Sequence, residues 1–210
     1  MSAEAPGRPF KLIVFDLDGT LADTGRDIAE SVNELRGLYS LPKLKLQGVV
    51  RYVGQGLKYL LARTLPAKVR KAHPDFMEEC RAIYLRRCLH HTRLFPGVRA
   101  TLARLRGCRL AVATNKPSIQ TERILRGLRI RPRFKAVCGG DDVRRRKPHP
   151  EVLLRLMRRF RCRPSQTLIV GDSRFDMEAG RRARCRLCAA TYGFGTVSYT
   201  HLTLPTTPYV

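Results

Sequence analysis

The sequence predicts a doubly wound α/β domain whose parallel sheet is interrupted, after its first strand, by an inserted helical unit. Three observations predict it. Five short runs are apolar on both faces, as buried parallel strands are. Helix-like stretches between the later runs supply the crossovers that parallel strands require. One connection, from Thr24 to about Phe95, is far too long to be such a crossover.

The first run, Leu12 to Phe15, is β-branched and aromatic and leads straight into acidic residues. Three helix-like stretches and no convincing strand follow up to residue 95, where Pro96-Gly97 gives a turn signal. Inserted there, residues 24–95 would sit above the carboxyl ends of the strands, where open α/β sheets bind ligands and where a lid belongs. A helix near 98–106 leads into Leu110–Thr114. Helices near 118–127, 150–160 and 176–184 then alternate with the runs Ala136–Cys138, Thr167–Val170 and Leu187–Ala190. Residues 1–23 and 96–196 thus form the sheet domain, and 24–95 the helical insertion. From Val197 the text VSYTHLTLPTTPYV is Thr-rich, uncharged and without helical period. The break predicts that 197–210 is foreign sequence standing in place of native carboxyl-terminal structure.

Composition narrows the classes. With 210 residues and 43% apolar content the chain can bury a core. No run approaches the ~18 apolar residues of a membrane span, and the start lacks a basic-then-apolar leader, so a cytoplasmic protein is expected. Seven cysteines, an odd number, argue against a disulfide framework, and the pair Cys185/Cys188 has no second pair at zinc-like spacing. The 41 basic against 17 acidic residues give a net charge of +24. The arginines are scattered and lack interleaved aromatics, which argues against specific nucleic-acid recognition while predicting stickiness at low salt. Nothing in the pattern specifies an oligomeric state.

Four constellations carry chemistry. Asp16-Leu-Asp18-Gly-Thr20 follows the first strand, with Gly19 marking a turn. A carboxylate nucleophile facing a phosphate dianion is repelled by about 4 kcal/mol per charge pair at ~4 Å and an effective dielectric near 20. Such a site needs a cation, and Mg²⁺ takes oxygen ligands. Asp16 could then attack phosphorus, and Asp18 could protonate the leaving oxygen and later deprotonate water. A solvated turn or a fragment of a calcium loop is the bland alternative. Thr114-Asn115-Lys116-Pro117 ends the second run and could grip phosphate oxygens or simply cap a helix. Arg146-Lys147-Pro148-His149-Pro150 aims Lys147 at the phosphate and at Asp16, while Arg144 to Arg146 read as a solvated run. Gly171-Asp172-Ser173-Arg174-Phe175-Asp176 places two carboxylates where they could complete a Mg²⁺ site with Asp16, although Asp176 could equally serve as a helix-terminus charge.

These motifs, in this order and spacing, resemble those of the haloacid dehalogenase superfamily, whose sheet domain is Rossmann-like. The helical insertion resembles the family's first type of cap. Val53-Gly54-Gln55-Gly56-Leu57, Thr114-Asn-Lys-Pro and Lys147-Pro-x-Pro150 are similar to phosphoglycolate phosphatases. The resemblance implies Asp16 as nucleophile and Asp18 as acid/base, with Thr114, Asn115 and Lys147 on the phosphate. It implies Asp16, Asp18 through its backbone carbonyl, and Asp172 on Mg²⁺, with Asp176 supporting them. Gly54, Gly56 and Arg51, with Gln55 and Lys58, are the candidates for reaching the substrate from the cap. The expected activity is hydrolysis of a small phosphorylated metabolite, 2-phosphoglycolate favoured. A sugar phosphomutase or pyrophosphatase of the same superfamily is the alternative, and a non-enzymatic nucleic-acid binder the alternative of another class.

Overall fold

Alternation along the first strand sets the layers of the molecule, because successive side chains on a strand point to opposite faces. The computed structural model describes residues 10–195; the expectation for 197–210 lies outside them. In β1 (Leu12–Phe15), Leu12 and Val14 face one way and join Ala111, Ala113 and Ile169 in one buried cluster. Ile13 and Phe15 face the other way, with Leu102, Val112, Ile124 and Leu125.

Around β1 lies a five-stranded sheet. After a short β2 (Ala22–Asp23) and β3 (Arg93–Leu94) come β4 (Arg109–Ala113), β5 (Ala136–Cys138), β6 (Thr167–Gly171) and β7 (Arg186–Ala189). The sheet order is β5-β4-β1-β6-β7 and every pairing in it is parallel. The chain therefore builds outward on one side of β1, then returns to build on the other. The doubly wound fold expected from the apolar runs is the fold observed. The fifth run differs in one respect: Arg186 and Cys188 of β7 are exposed. It is an edge strand, so only part of its surface is covered.

The insertion contains five helices, α1 (Gly25–Leu38), α2 (Leu46–Val50), α3 (Leu57–Thr64), α4 (Ala67–Ala72) and α5 (Phe76–Arg87). Three were expected; α2 and α4 span five and six residues, too short to show a helical period. In α1, Ile28, Val32 and Leu35 recur at the spacing of one helix face and are buried. They join the Ile13/Phe15 side of the core through Leu17 and Leu21. Nor is the segment free of strand, as expected: Arg93 and Leu94 pair antiparallel with Asp23 and Ala22. Two residues a side leave no pattern to read, yet they clamp the points where the chain enters and leaves the insertion. Asp27, fully buried, fastens the same point by accepting hydrogen bonds from His91 N, Thr92 N and Thr92 Oγ1.

The sheet domain is completed by α6 (Val98–Arg104), α7 (Ser118–Gly127), α8 (Glu151–Phe160) and α9 (Arg174–Arg182). α8 buries Val152, Leu153, Leu156 and Met157, one face at helical spacing, in the Leu12/Val14 layer. α9 starts two residues before the expected 176, because the Asp176 carboxylate accepts from Ser173 N and Oγ and fixes the helix start. No helix among the described residues is long and apolar enough to cross a membrane.

Candidate active site

Register places the chemistry. Phe15 of β1 lies level with Val112 of β4 and Val170 of β6. Asp16, Thr114 and Asp172 follow these residues by one or two positions. All three therefore stand at the carboxyl edge of the sheet, where the strand order reverses and a crevice opens.

Asp16, Asp172 and Asp176 each bring one carboxylate oxygen within 4.8 Å of the others, and all three are buried. Lys147 Nζ lies 2.9 Å from Asp16 Oδ1, donates to Ala113 O at 2.7 Å and pairs with Asp176. One ammonium thus pairs with two of the three carboxylates. Burial pushes Asp16 up most strongly; Lys147 pulls it down, and Asp176, Asp172 and Asp18 push it up again, to about 7. Burial likewise raises Asp172. For Lys147, burial works against the charge, but Asp16 and Asp176 outweigh it and hold the ammonium protonated.

The carboxylates are not equally satisfied. Asp172 accepts from Phe194 N and Gly195 N at 2.8 and 2.9 Å and from Thr20 Oγ1 at 3.2 Å. Gly19 makes that approach possible: its φ is +82°, and a Cβ there would sit 2.2 Å from Asp172 Oδ2. Asp16 Oδ1, by contrast, is buried and receives no well-directed hydrogen bond, despite the nearby lysine. Three buried carboxylates converging around a single ammonium leave negative charge uncompensated, and such a crowded set of hard oxygen donors fits a cation such as Mg²⁺.

Asp18, expected on the metal through its backbone carbonyl, has its side chain engaged with other partners. Its Oδ1 accepts from Thr24 Oγ1 at 2.6 Å, and its Oδ2 lies 3.0 Å from Lys116 Nζ. Only its backbone carbonyl is left for that role. Asn115 is placed differently from a phosphate-gripping amide. It donates to Gly54 O at 2.8 Å and to Lys147 O at 2.9 Å, and accepts from Lys147 N at 3.0 Å. Both amide protons are occupied in joining the insertion to the lysine segment.

Between the insertion and the sheet lies a narrow cavity of about 60 Å³, walled by Asp16, Asp18, Thr114 and Lys116 on the sheet side. Val53, Gly54, Gly56, Leu57, Leu60 and Tyr84 line the other side. Gly54 and Gly56 have φ of +100° and +87°, the left-handed region open to glycine. Arg51, Gln55 and Lys58 do not line this cavity. Arg51 is exposed and lies 5.0 Å over the Tyr52 ring. In the run Arg144–Arg146, the Glu151 carboxylate accepts from Arg144 N and Arg145 N, while Arg146 Nε donates to Gly140 O. Of the basic residues 144–147, Lys147 is the one paired with Asp16.

Two site residues went unassigned in the sequence, Lys116 and Tyr84. A signal existed for the first: the chain has two Lys-Pro pairs, Lys116-Pro117 and Lys147-Pro148, each near a carboxyl edge, and both lysines are buried. Tyr84 lies in α5, in a stretch where an inward tyrosine reads as ordinary core.

Residues 13–190 match the family model described as haloacid dehalogenase-like hydrolase. The phosphoglycolate phosphatase of Haemophilus influenzae is 36% identical over 195 residues, covering 88% of this chain and 87% of that one. That of Mannheimia succiniciproducens is 35% identical with the same coverage. A crystal structure of a predicted phosphoglycolate phosphatase from Haemophilus somnus superposes with a TM-score of 0.83 at 34% identity, covering 90% of this chain and 89% of that one.

Proposed function

The chain belongs to the haloacid dehalogenase-like hydrolase family, and from that premise we propose that it is a Mg²⁺-dependent phosphatase acting on a small phosphate monoester, 2-phosphoglycolate favoured, through a phosphorylated Asp16. Residues 24–95 act as the cap over a core made of 1–23 and 96–196. The name shared by its relatives supports the substrate. The observation that carries the mechanism is the convergence of the buried carboxylates of Asp16, Asp172 and Asp176, with Lys147 Nζ 2.9 Å from Asp16 Oδ1.

Asp16 and Asp172, with the Asp18 backbone carbonyl, would hold Mg²⁺, and Asp176 would support them through Lys147 and Ser173. When bound, the ion offsets the negative charge that accumulates when a phosphate meets these carboxylates. The protein's own residues do the rest. Thr114 and Lys147 hold phosphate oxygens and orient phosphorus toward Asp16. An Asp16 carboxylate oxygen bonds to phosphorus as the bond to the ester oxygen breaks, and protonated Asp18 gives that oxygen its proton. Asp18, now ionised, takes a proton from water as the water oxygen attacks phosphorus. The Asp16–phosphorus bond breaks, releasing inorganic phosphate and restoring the carboxylate. A narrow cavity under the cap limits competing water and suits a small ester better than a polynucleotide.

The test is a panel of phosphorylated metabolites assayed with Mg²⁺, combined with beryllium fluoride trapping. The expected outcome is highest kcat/KM for 2-phosphoglycolate, loss of turnover with chelator, and the adduct on Asp16. Undiminished turnover in chelator, or an adduct on another residue, would overturn it.

A further inference from the structure

The proposed chemistry uses Asp16, Asp18, Thr114 and Lys147 and gives no part to several buried residues of the adjoining cavity, Lys116 and Tyr84 among them. Lys116 Nζ and the side chain of Tyr84 both line it, from opposite sides, with the ammonium 4.4 Å from the centre of the tyrosine ring. Tyr84 is 5% exposed, and its hydroxyl has no hydrogen-bond partner among the described residues. A buried hydroxyl left unsatisfied is costly and rare, so one on a residue that lines a cavity calls for a partner. The rest of the wall is mixed, with apolar Ile28, Val53, Leu57 and Leu60 beside polar Ser31 and Gln120.

We infer that Lys116 Nζ and Tyr84 Oη form the recognition point for a second acidic group of the substrate, a carboxylate lying a few atoms from the transferred phosphate. Resting on the phosphatase reading above, the inference adds the residues that select the ester. A carboxylate has two oxygens, and the pair offers two donors of different kind, an ammonium and a phenol. Burial holds the phenol's pKa well above its ordinary value, so it remains a donor at neutral pH. A buried ammonium favours an anion over a neutral hydroxyl. The small volume leaves room for a short linker between the two charges. Without ligand, Lys116 pairs with Asp18 at 3.0 Å, so carboxylate binding would draw on the same ammonium that faces the general acid. The Arg51, Gln55 and Lys58 expected from the sequence lie outside this wall.

Two measurements test it. The first is the ratio of kcat/KM for 2-phosphoglycolate to that for ethyl phosphate, which lacks the carboxylate, in the wild type and in Tyr84→Phe, Lys116→Gln and Lys116→Arg. Loss of a hydrogen bond to a charged group predicts a fall in this ratio of about 10- to 100-fold in Tyr84→Phe and Lys116→Gln, carried mainly by KM. Lys116→Arg should recover part of it. The second is calorimetric binding of 3-phosphonopropionate against propylphosphonate, which needs no turnover. The wild type should prefer the carboxylate-bearing phosphonate, and Tyr84→Phe should lose that preference. If both esters slow equally in every variant and neither phosphonate is preferred, Lys116 serves only to hold Asp18 and the inference fails. If the wild type prefers 3-phosphonopropionate yet turns over neither ester, the recognition point stands and the phosphatase reading fails instead.

Discussion

Two groups of acidic side chains lie at opposite ends of α1's approach to the sheet, and their partners differ in kind. At the hinge, Asp27 is saturated by two backbone N–H groups and a hydroxyl, and Glu30 pairs with Arg26 and Arg87, with His91 beside it. At the sheet edge, Asp16, Asp172 and Asp176 converge, and one ammonium pairs with Asp16 and Asp176 but not with Asp172. Hydrogen bonds from Arg26 and then Arg87 lower the pKa of Glu30, whereas burial raises that of Asp16. Converging carboxylates alone do not make a metal site. What separates a clasp from a centre is whether the protein has already balanced the charge.

The largest expected contrast is catalytic. Asp16→Asn should lower kcat by roughly 10⁴-fold or more, as loss of a covalent nucleophile does. Steady-state turnover of 2-phosphoglycolate with Mg²⁺ would show it, and residual activity near wild type would break the contrast. Next is metal affinity. Asp172→Asn should weaken Mg²⁺ binding by at least about tenfold in calorimetry, whereas Glu30→Gln should leave it unchanged. A second Mg²⁺ bound per chain and lost in Glu30→Gln would make the hinge a centre after all.

Stability reverses the ranking. Asp27→Ala strands buried donors and should cost about 2–4 kcal/mol, roughly 4–15 °C in melting temperature. Asp16→Asn removes an undercompensated charge and should not lower the melting temperature of metal-free protein. The smallest effect is in pH. Between its ordinary 3.8 and about 7, folded Asp16 keeps a proton that the unfolded chain has released, so metal-free stability falls as pH rises through that window. Glu30, lowered from 4.5, works the other way: its contribution is present above 4.5 and is lost as pH falls through its folded value. Melting of metal-free protein at about pH 5 and about pH 7.5 should show the first slope, flattened in Asp16→Asn.

Much of this was legible in the residues, for stated reasons. The strands could be read because Leu12–Phe15 and Thr167–Val170 are apolar on both faces, a signal that needs no tertiary knowledge. Asp16 and Asp172 could be placed because each follows a strand end, where register alone brings groups together, whereas Lys147, in the loop well past β5, was legible from the proline that follows it. The β2–β3 clamp could not, since two residues a side carry no period. The orientation of Asp18 and Asn115 was hidden for another reason. It depends on Thr24, Lys116 and Gly54, partners that only the folded insertion presents. Tyr84 is the extreme case: nothing in α5 distinguishes a core tyrosine from one that also lines a cavity.

Asn115 ties three points with one amide, and its bonds are unequally divided: one crosses to Gly54 in the insertion, two stay with Lys147. Losing the bond to Gly54 would therefore leave both bonds to Lys147 in place, so a change at the insertion's edge need not disturb the backbone that carries the buried ammonium.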